Sequence, residues 1–457
     1  MSETAGGWTL PIGQAFGRSS GKHSPLTVQN WTGWGRYPAR WVRKGGVRKR
    51  QPRLSSRQSS GASGKASHEK TGERTSYSEE DCATRLSKDR AARVNVELAI
   101  DAVGALHGGA ARVACGAANA AIRSEDVACL TVFASPARRR RFDFPSSPKA
   151  RILEVVSDGG GLERIWWLSQ GAANLCRSLG VSHALFLGGG GMSDAEVVRG
   201  LLIQQSIPFV KEGLESLGVA DRVRFAVIGG MMKWSASAAD VVLVQTETMR
   251  SLVRSQLAGD VRAVRVVPVG PFEGACCVRS RAQVTRSPRR NRRILYVGNS
   301  SGYKNLVVLR SALDALSSNG QGALLVATLK KGTLGPERCD ISEIGYVEGD
   351  RLWTEYEQAD CLVMPSLSET VCLPLVEAME RGLPVVVSDR PYAREVCGPA
   401  AVYFDPMSPE DLARAVVEAT ADTPERESRT EEGRSRAAKW VSPAAYDELI
   451  RAVLEAR

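Results

Sequence analysis

Apolar runs alternate with segments of helical periodicity along the chain from residue 94 onward. Runs of about four to eight residues that are rich in β-branched side chains are typical of buried strands. They predict strands at residues 94–100, 128–133, 150–156, 184–187, 201–204, 241–245, 293–297, 324–329, 341–347, 361–364, 384–388 and 401–404. Strands that alternate with helices predict an α/β protein with parallel sheets.

The most informative segment runs from residue 361 to residue 389. An apolar run leads into a serine-rich turn, then to Glu369 and a tight segment that ends at Leu373. Pro374 suits the first turn of a helix, because its missing N–H would have no partner there. The helix then leads into the strand at 384–388. This βαβ unit places its loop at the carboxyl edge of a sheet, where open α/β sheets bind ligands.

The same loop offers an anion site beside two carboxylates. Backbone N–H groups and the positive end of the helix favour an anion, and the donors belong to Thr370, Val371, Cys372 and Leu373. Glu369 and Glu377 can face one crevice, and carboxylates accept hydrogen bonds from hydroxyl groups. An anion beside hydroxyl groups suggests a nucleotide sugar. The alternative is two ordinary glutamates on a solvated helix face.

Two further loops follow predicted strands. After the strand at 293–297, Lys304 precedes a helix and can act as a point charge for a diphosphate. A surface lysine without a role is disfavoured, since a cation opposes the helix dipole there. After the first strand, Gly108 and Gly109 precede a helix-prone segment, which is how a Rossmann-like domain begins. Tight turns also use glycine, and His107 is interpreted as a loop residue.

The composition favours a cytoplasmic protein with reduced thiols. The 457 residues predict two or three domains, and 43% apolar content allows full cores. Apolar runs stay below 18 residues and the first residues lack a signal-peptide pattern, so neither a spanning helix nor secretion is expected. The ten cysteines contain no C-x-x-C pair and there are four histidines, which argues against zinc or multi-histidine metal centres.

The basic charge is concentrated in one part of the chain. Residues 1–93 hold 18 Lys and Arg against 7 Asp and Glu, which accounts for the net charge of +11. Residues 1–92 lack apolar periodicity, which is typical of disorder. Their tryptophans and arginines leave open nucleic acid or an anionic membrane as a partner, but an extension without function, or a start codon placed too far upstream, is favoured. The arginines at 138–141 suit either a solvated loop or lipid phosphates.

The segment 365–389 resembles the signature of retaining glycosyltransferases with the GT-B fold, specifically family 4 of bacterial polysaccharide and lipopolysaccharide enzymes. That signature runs roughly PS-x-x-E-x-F/V-x-L-P-x-x-E-A-M, followed by G-x-P-V-V-x-S, and this chain matches nearly all of it. Cys372 stands where many members have glycine. The resemblance covers roughly residues 94–420.

The resemblance implies two Rossmann-like domains that face a cleft. It also implies transfer of a hexosyl group from a nucleotide diphosphate sugar to a glycan or lipid-linked acceptor hydroxyl, with retention at the anomeric carbon. Lys304 and the loop N–H groups would stabilise the leaving diphosphate, Glu369 would hold the sugar hydroxyls, and Glu377 the ribose hydroxyls. Family members usually act without a metal, so no metal cofactor is expected.

Other donor-site residues follow from the same resemblance. Gly345, Tyr346 and Val347 match a segment that lies beside the nucleobase in relatives, and the Gly108–Gly109 loop would lie near donor and acceptor. Asn299 is expected at the donor site, where many relatives carry an arginine. This departure leaves open whether the usual two-cation diphosphate clamp is present or some other cation serves. Relatives also carry a first-domain histidine, and none is assigned here.

Five parts are predicted along the chain. They are a disordered basic extension (1–92), an N-terminal acceptor domain (93–270), a linker (271–292), a C-terminal donor domain (293–420) and C-terminal helices that pack back on the first domain (421–457).

Three other functions stay open at this stage. A GT-B sugar-nucleotide epimerase would share the fold and donor site, a non-catalytic nucleotide-sugar or glycan-binding protein would explain Asn299, and a nucleic-acid-binding protein would use the basic extension. The favoured enzyme is expected in the cytoplasm without a nucleic-acid partner, and a peripheral contact with the inner membrane is left open.

Overall fold

Two parallel β-sheets organise the part of the chain that the structure describes. The computed structural model describes residues 95–104, 108–136, 147–155, 161–188, 196–210, 215, 217–257, 263–272 and 291–456. The predictions for the basic extension, for His107 and for the arginines at 138–141 lie outside these residues.

The first sheet has, within the described residues, the strand order β3-β2-β1-β4-β5-β6-β7, and its neighbouring strands are parallel. The strands are β1 (Val96–Asp101), β2 (Val127–Ala134), β3 (Ala150–Glu154), β4 (His183–Leu187), β5 (Val198–Leu202), β6 (Val241–Val244) and β7 (Val264–Val266). Strand β7 is not among the predicted strands, because with three residues it is too short to show a period.

Helices cover both faces of the first sheet. They are α1 (Gly108–Arg123), α2 (Gly161–Trp166), which continues through a π-turn at Trp167–Gly171 into α3 (Ala172–Ser178), α4 (Val219–Ala238) and α5 (Glu247–Gln256). Helix α5 begins as the sequence predicts, because the Thr246 hydroxyl accepts a hydrogen bond from the Met249 N–H at 3.2 Å.

The second sheet has the order β10-β9-β8-β11-β12-β13 and is also parallel. Its strands are β8 (Arg292–Tyr296), β9 (Ala323–Ala327), β10 (Ile341–Glu343), β11 (Cys361–Met364), β12 (Val385–Ser388) and β13 (Ala401–Phe404). Its helices are α6 (Val307–Ser318), α7 (Gly349–Gln358), α8 (Leu373–Glu380), α9 (Pro391–Cys397) and α10 (Pro409–Thr420). Strand β10 is shorter than predicted and does not reach Gly345, which has a φ of +74°.

Two helices end the chain, α11 (Pro424–Trp440) and α12 (Pro443–Leu454). Both lie within the segment 421–457, for which the sequence predicts C-terminal helices. Pro443 would clash inside a continuous helix but suits a first turn, and the Ser442 hydroxyl accepts a hydrogen bond from the Ala444 N–H at 3.3 Å.

Helix α12 packs against the first sheet. Its residues Tyr446, Leu449 and Val453 are buried in the same core as β1, β4 and α1. Two glycines allow the close approach: a Cβ at Gly116 would overlap the Tyr446 ring, and one at Gly200 would lie 2.6 Å from Val453 Cγ2. The last helix thus completes the core of the first sheet.

Candidate active site between the two sheets

Three loops lie at the switch points of the two sheets, where the strand order reverses. In the first sheet β1 lies between β2 and β4, and in the second β8 lies between β9 and β11. Chain connections leave to opposite sides at these switch points, which opens a crevice at the carboxyl edge. The loop after β1 leads to Gly108, the loop after β8 carries Lys304, and the loop after β11 carries Glu369.

Lys304 and Glu369 form an ion pair inside this crevice. The Lys304 ammonium donates to Glu369 Oε1, and the two side chains are 10% and 14% exposed. Burial alone lowers the pKa of Lys304, but the Coulombic field of Glu369, with that of Tyr303 and Tyr296, outweighs it and raises this pKa well above its usual value. Lys304 therefore stays charged at any physiological pH.

The local backbone explains how Lys304 becomes buried. It ends a 3₁₀ turn at Gly302–Lys304, and Asn305 follows in the left-handed region with a φ of +52°. The Asn305 amide donates to the Pro406 carbonyl at 2.7 Å, which holds this bend. The lysine thus lies one short turn before α6 rather than on it, and its ammonium points back toward β11.

Glu377 lies on α8, is 4% exposed, and is in contact with residues from both sheets' domains. Its Oε2 accepts a hydrogen bond from the Tyr356 hydroxyl at 2.6 Å, and its Oε1 accepts one from the Arg112 guanidinium on α1. Burial, together with the charge of Glu377, raises the pKa of Tyr356 well above its usual value, so the phenol remains a donor.

The start of α8 lies directly against Gly109, which the sequence predicts in a loop but which lies in the first turn of α1. A Cβ at Gly109 would overlap Leu373 Cδ1, so a larger residue at this contact would force the leucine side chain to shift. Cys372, the residue before the helix, has a φ of +61°, which is rare for a residue other than glycine. Its thiol is buried, and burial with the nearby Glu369 raises the pKa of Cys372 well above its usual value.

The remaining predicted residues fall into two groups. Thr370 and Val371 complete the loop with Glu369, and the Thr370 carbonyl accepts a hydrogen bond from the Thr246 hydroxyl at 3.3 Å. Asn299 is exposed, and its carbonyl accepts a hydrogen bond from Tyr296 at 2.7 Å.

The predicted nucleobase segment, residues 345–347, follows the end of β10 at Glu343 and is not part of the strand. Gly345 has a positive φ, Tyr346 is 59% exposed and donates to Glu348 at 2.8 Å, and Val347 is buried in the core of the second sheet. The structure brings together Lys304, Glu369–Leu373, Glu377 and Gly109, and Val347 of the predicted nucleobase segment lies in the same buried cluster as Val371 and Cys372.

Three buried serines and the half-buried Gln204 lie at the carboxyl ends of strands in both sheets. Within the described residues, the Ser135, Ser366 and Ser388 hydroxyls and the buried Gln204 Oε1 have no hydrogen-bond partner. A buried polar atom without a partner costs free energy unless water or a ligand satisfies it. These atoms mark the edge of each sheet as a place for a polar ligand.

Hydrogen bonds between the two domains bring the crevice walls together. Ser368 donates to the Ser206 hydroxyl at 2.8 Å, and Glu395 accepts from the Thr248 backbone N–H at 2.8 Å and from its hydroxyl at 2.6 Å. Tyr303 packs with Ile207 in a small apolar cluster. These contacts join residues that are far apart in sequence.

Sequence reasoning missed Arg112 and Tyr356 as partners of Glu377. Arg112 follows the glycine loop closely, which is a signal that could have drawn attention to it. Tyr356 lies on an ordinary amphipathic helix, and nothing in its sequence context distinguishes it from a core residue.

Comparisons with known proteins agree with this architecture. Residues 339–436 match the profile of the family described as "Glycosyl transferases group 1". The chain is 33% identical over 100 residues to O-antigen chain mannosyltransferase B of Escherichia coli, a match that covers 22% of this chain and 26% of that protein. The chain therefore spans about a quarter of the length of this curated relative.

Two solved structures share the fold over most of the chain. WaaG, a glycosyltransferase involved in lipopolysaccharide biosynthesis, superposes with a TM-score of 0.59 at 15% identity and covers 78% of this chain and all of its own. HepE of Anabaena, in complex with UDP and glucose, gives a TM-score of 0.56 at 15% identity and covers 79% of this chain and all of its own. The predicted GT-B fold is confirmed.

Proposed function

We propose that this protein is a retaining glycosyltransferase of family 4. It moves a hexosyl group from a nucleotide diphosphate sugar to a hydroxyl of a glycan or lipid-linked acceptor, in the synthesis of cell-surface polysaccharide. The observation that carries the proposal is the convergence of Lys304, Glu369 and Glu377 around the start of α8, at the switch point of the second sheet. Glu369 and Glu377 also lie within the part of the chain that matches the family profile.

The proposed reaction breaks the bond between the anomeric carbon and the diphosphate oxygen. A new bond forms from that carbon to the acceptor oxygen on the same face of the sugar, and the acceptor proton leaves with the released diphosphate. Negative charge therefore grows on the diphosphate as the transition state is reached. Lys304, which stays charged, and the N–H groups of residues 370–373 stabilise that charge.

The two glutamates take the hydroxyl groups of the donor. Glu369 is held by Lys304 and accepts hydrogen bonds from the transferred sugar, while Glu377 accepts them from the ribose. Charge stabilisation by Lys304 and by backbone groups requires no metal ion, and we expect transfer to survive chelation with EDTA. The nucleotide sugar would come from the cytoplasm.

An exposed apolar stripe on one helix supports a peripheral contact with an anionic membrane. Helix α4 exposes a stripe of large apolar side chains, Val219, Val223, Val227 and Trp234, which are 46–77% exposed. Because successive residues of an α-helix are turned by about 100°, these four lie within a sector of about 80° around the helix axis. Arg224 and Lys233 flank the stripe on either side. A stripe of this kind suits the interface of a bilayer with anionic lipids. No helix among the described residues is long and apolar enough to cross a bilayer.

The donor site is tested by a thermal-shift screen of the full chain against UDP, GDP and their hexose conjugates. A ligand that binds the folded state raises its melting temperature. We expect a shift with one nucleotide that disappears in Glu377→Ala, followed by transfer to a glycan acceptor with retention in an NMR assay of the product. Binding without transfer or donor hydrolysis would favour a non-catalytic nucleotide-sugar-binding protein.

The membrane contact is tested by co-sedimentation with phosphatidylglycerol vesicles. The variant Val223→Asp with Val227→Asp places two charges on the stripe and should lower binding at least severalfold. Val307→Asp, at a position on α6 that is 80% exposed, is the matched control and should bind as the wild type does. Equal binding by all three proteins would contradict the proposed role of α4.

A further inference from the structure

Both carboxylate oxygens of Glu377 accept a hydrogen bond from a protein side chain. The Glu377 side chain is 5% exposed, with Tyr356 on one oxygen and Arg112 on the other. These two bonds fill two of about four acceptor positions of the carboxylate, and its burial leaves little of its surface open to a ribose hydroxyl. We therefore expect a nucleotide sugar whose ribose binds Glu377, as the proposed function requires, to displace one of the two partners.

Arg112 is the partner that can move. Tyr356 is fully buried in the core of the same domain as Glu377 and packs against Trp353, with ring centroids 5.7 Å apart. Arg112 reaches Glu377 from α1 of the other domain, and its side chain remains 24% exposed. Its guanidinium lies 5.1 Å from the centre of the Trp353 ring, at the end of a long, flexible stem.

The displaced guanidinium stays next to the proposed diphosphate site. Gly109 and Arg112 are three residues apart on α1 and therefore share a face of that helix. Gly109 lies against Leu373, one of the four residues whose N–H groups form the proposed anion site. The start of α1 thus holds the backbone of Arg112 close to the start of α8, within a side chain's length of the proposed diphosphate site.

We propose that Arg112 is a second cation of the diphosphate site, held on Glu377 until the donor's ribose replaces it there. Lys304 already shares its charge with Glu369, so a diphosphate with two or more negative charges calls for a further cation. The planar guanidinium matches phosphate oxygens in a bidentate geometry. This inference rests on the proposed function, because it assumes a nucleotide sugar as the ligand.

The test compares a nucleoside with its diphosphate on the full chain by isothermal titration calorimetry. Uridine and UDP, or guanosine and GDP, are chosen according to the base that the wild type binds. The measured quantity is the ratio of the two dissociation constants, which reports what the diphosphate adds. In Arg112→Gln this ratio should fall about tenfold, equivalent to 1.4 kcal/mol, while the nucleoside binds at least as tightly because Glu377 has lost a competitor.

Two further variants make the result specific. Arg123→Gln removes the same charge from the far end of α1, where Arg123 pairs with Asp447 and both side chains are nearly half exposed, and it should keep the wild-type ratio. Arg112→Lys keeps the charge and should keep more of the ratio than Arg112→Gln; it also serves as the test if the glutamine variant does not fold.

Three outcomes would overturn the proposal. An unchanged ratio in Arg112→Gln, with the wild type binding the diphosphate, would show that Arg112 does not meet the phosphates and would leave the proposed function standing. Equal losses for nucleoside and diphosphate would assign Arg112 to the nucleoside side of the site or to the fold. A wild type that binds no nucleotide at all would defeat the proposed function together with this inference.

Discussion

Removing one charge of the Lys304–Glu369 pair should lower the stability of the fold far more than removing both charges. Lys304→Met deletes the ammonium and leaves the carboxylate of Glu369 without its partner, and Glu369→Gln leaves the ammonium uncompensated. Because the two side chains are only 10% and 14% exposed, water replaces little of the lost interaction. Breaking a buried pair in this way costs about 3–5 kcal/mol.

The double variant separates the pair from its surroundings. With both charges removed, neither side chain leaves an unpaired ion, so the cost should be smaller than that of either single change. Because the double change then costs less than either single change, the coupling free energy from this cycle should exceed the cost of one single change, about 3 kcal/mol. An exposed pair such as Arg394 and Asp389, whose side chains are 54% and 48% exposed, should couple by less than about 1 kcal/mol.

Native-state hydrogen exchange is the suitable assay, because a protein with two domains does not unfold in one step. The amides of β8 and β11, the strands that lead into the two loops, report the local opening free energy in the wild type, the single variants and the double variant. A coupling below about 0.5 kcal/mol would refute the reasoning, since it would mean that solvent screens this pair as it screens surface pairs.

Three further predictions concern the start of α8. Gly109→Ala should weaken nucleotide binding about tenfold, because overpacking against Leu373 costs about 1–3 kcal/mol, and adding Leu373→Ala should restore much of it in the thermal-shift assay. Cys372→Gly should change the unfolding free energy by less than about 1 kcal/mol, whereas Cys372→Val should cost about 2 kcal/mol or more, since β-branched residues are strained at a φ of +61°; equal effects in thermal denaturation would contradict this. The raised pKa keeps the Cys372 thiol protonated at pH 8, and only thiolates react readily, so mass spectrometry after iodoacetamide should find the exposed Cys339 modified well before Cys372.

The strands around the site were predictable because parallel strands in this fold are buried on both faces. The predicted bounds of β11 and β13 match the structure, and the helix of the βαβ unit begins within one residue of Pro374. The hydroxyls of Thr246 and Ser408 cap the starts of α5 and α10, which is turn chemistry that a sequence displays. Strand β7 could not be predicted, because three residues are too few to show a period.

The partners of the site residues could not be predicted in the same way. Lys304 and Glu369 lie 65 residues apart and Arg112 and Glu377 lie 265 apart, so their contacts depend on how strands and domains assemble. Parallel topology brings loops to one edge, but the direction of each side chain depends on local bends such as the one at Asn305. The sequence could therefore indicate which loops meet, and packing decides which charges pair.

The position of α12 has a consequence for how the protein is made in the cell. The core of the first sheet is formed by residues up to 272 and by a helix at residues 443–454, so the first half of the chain waits for the last residues to be synthesised. At roughly 5–20 residues per second, the intervening stretch takes about 10–35 s to translate. Throughout that time the apolar surface around Gly116 and Gly200 lacks its cover. A chain that ends before residue 443 therefore lacks the helix that covers this part of the first-sheet core.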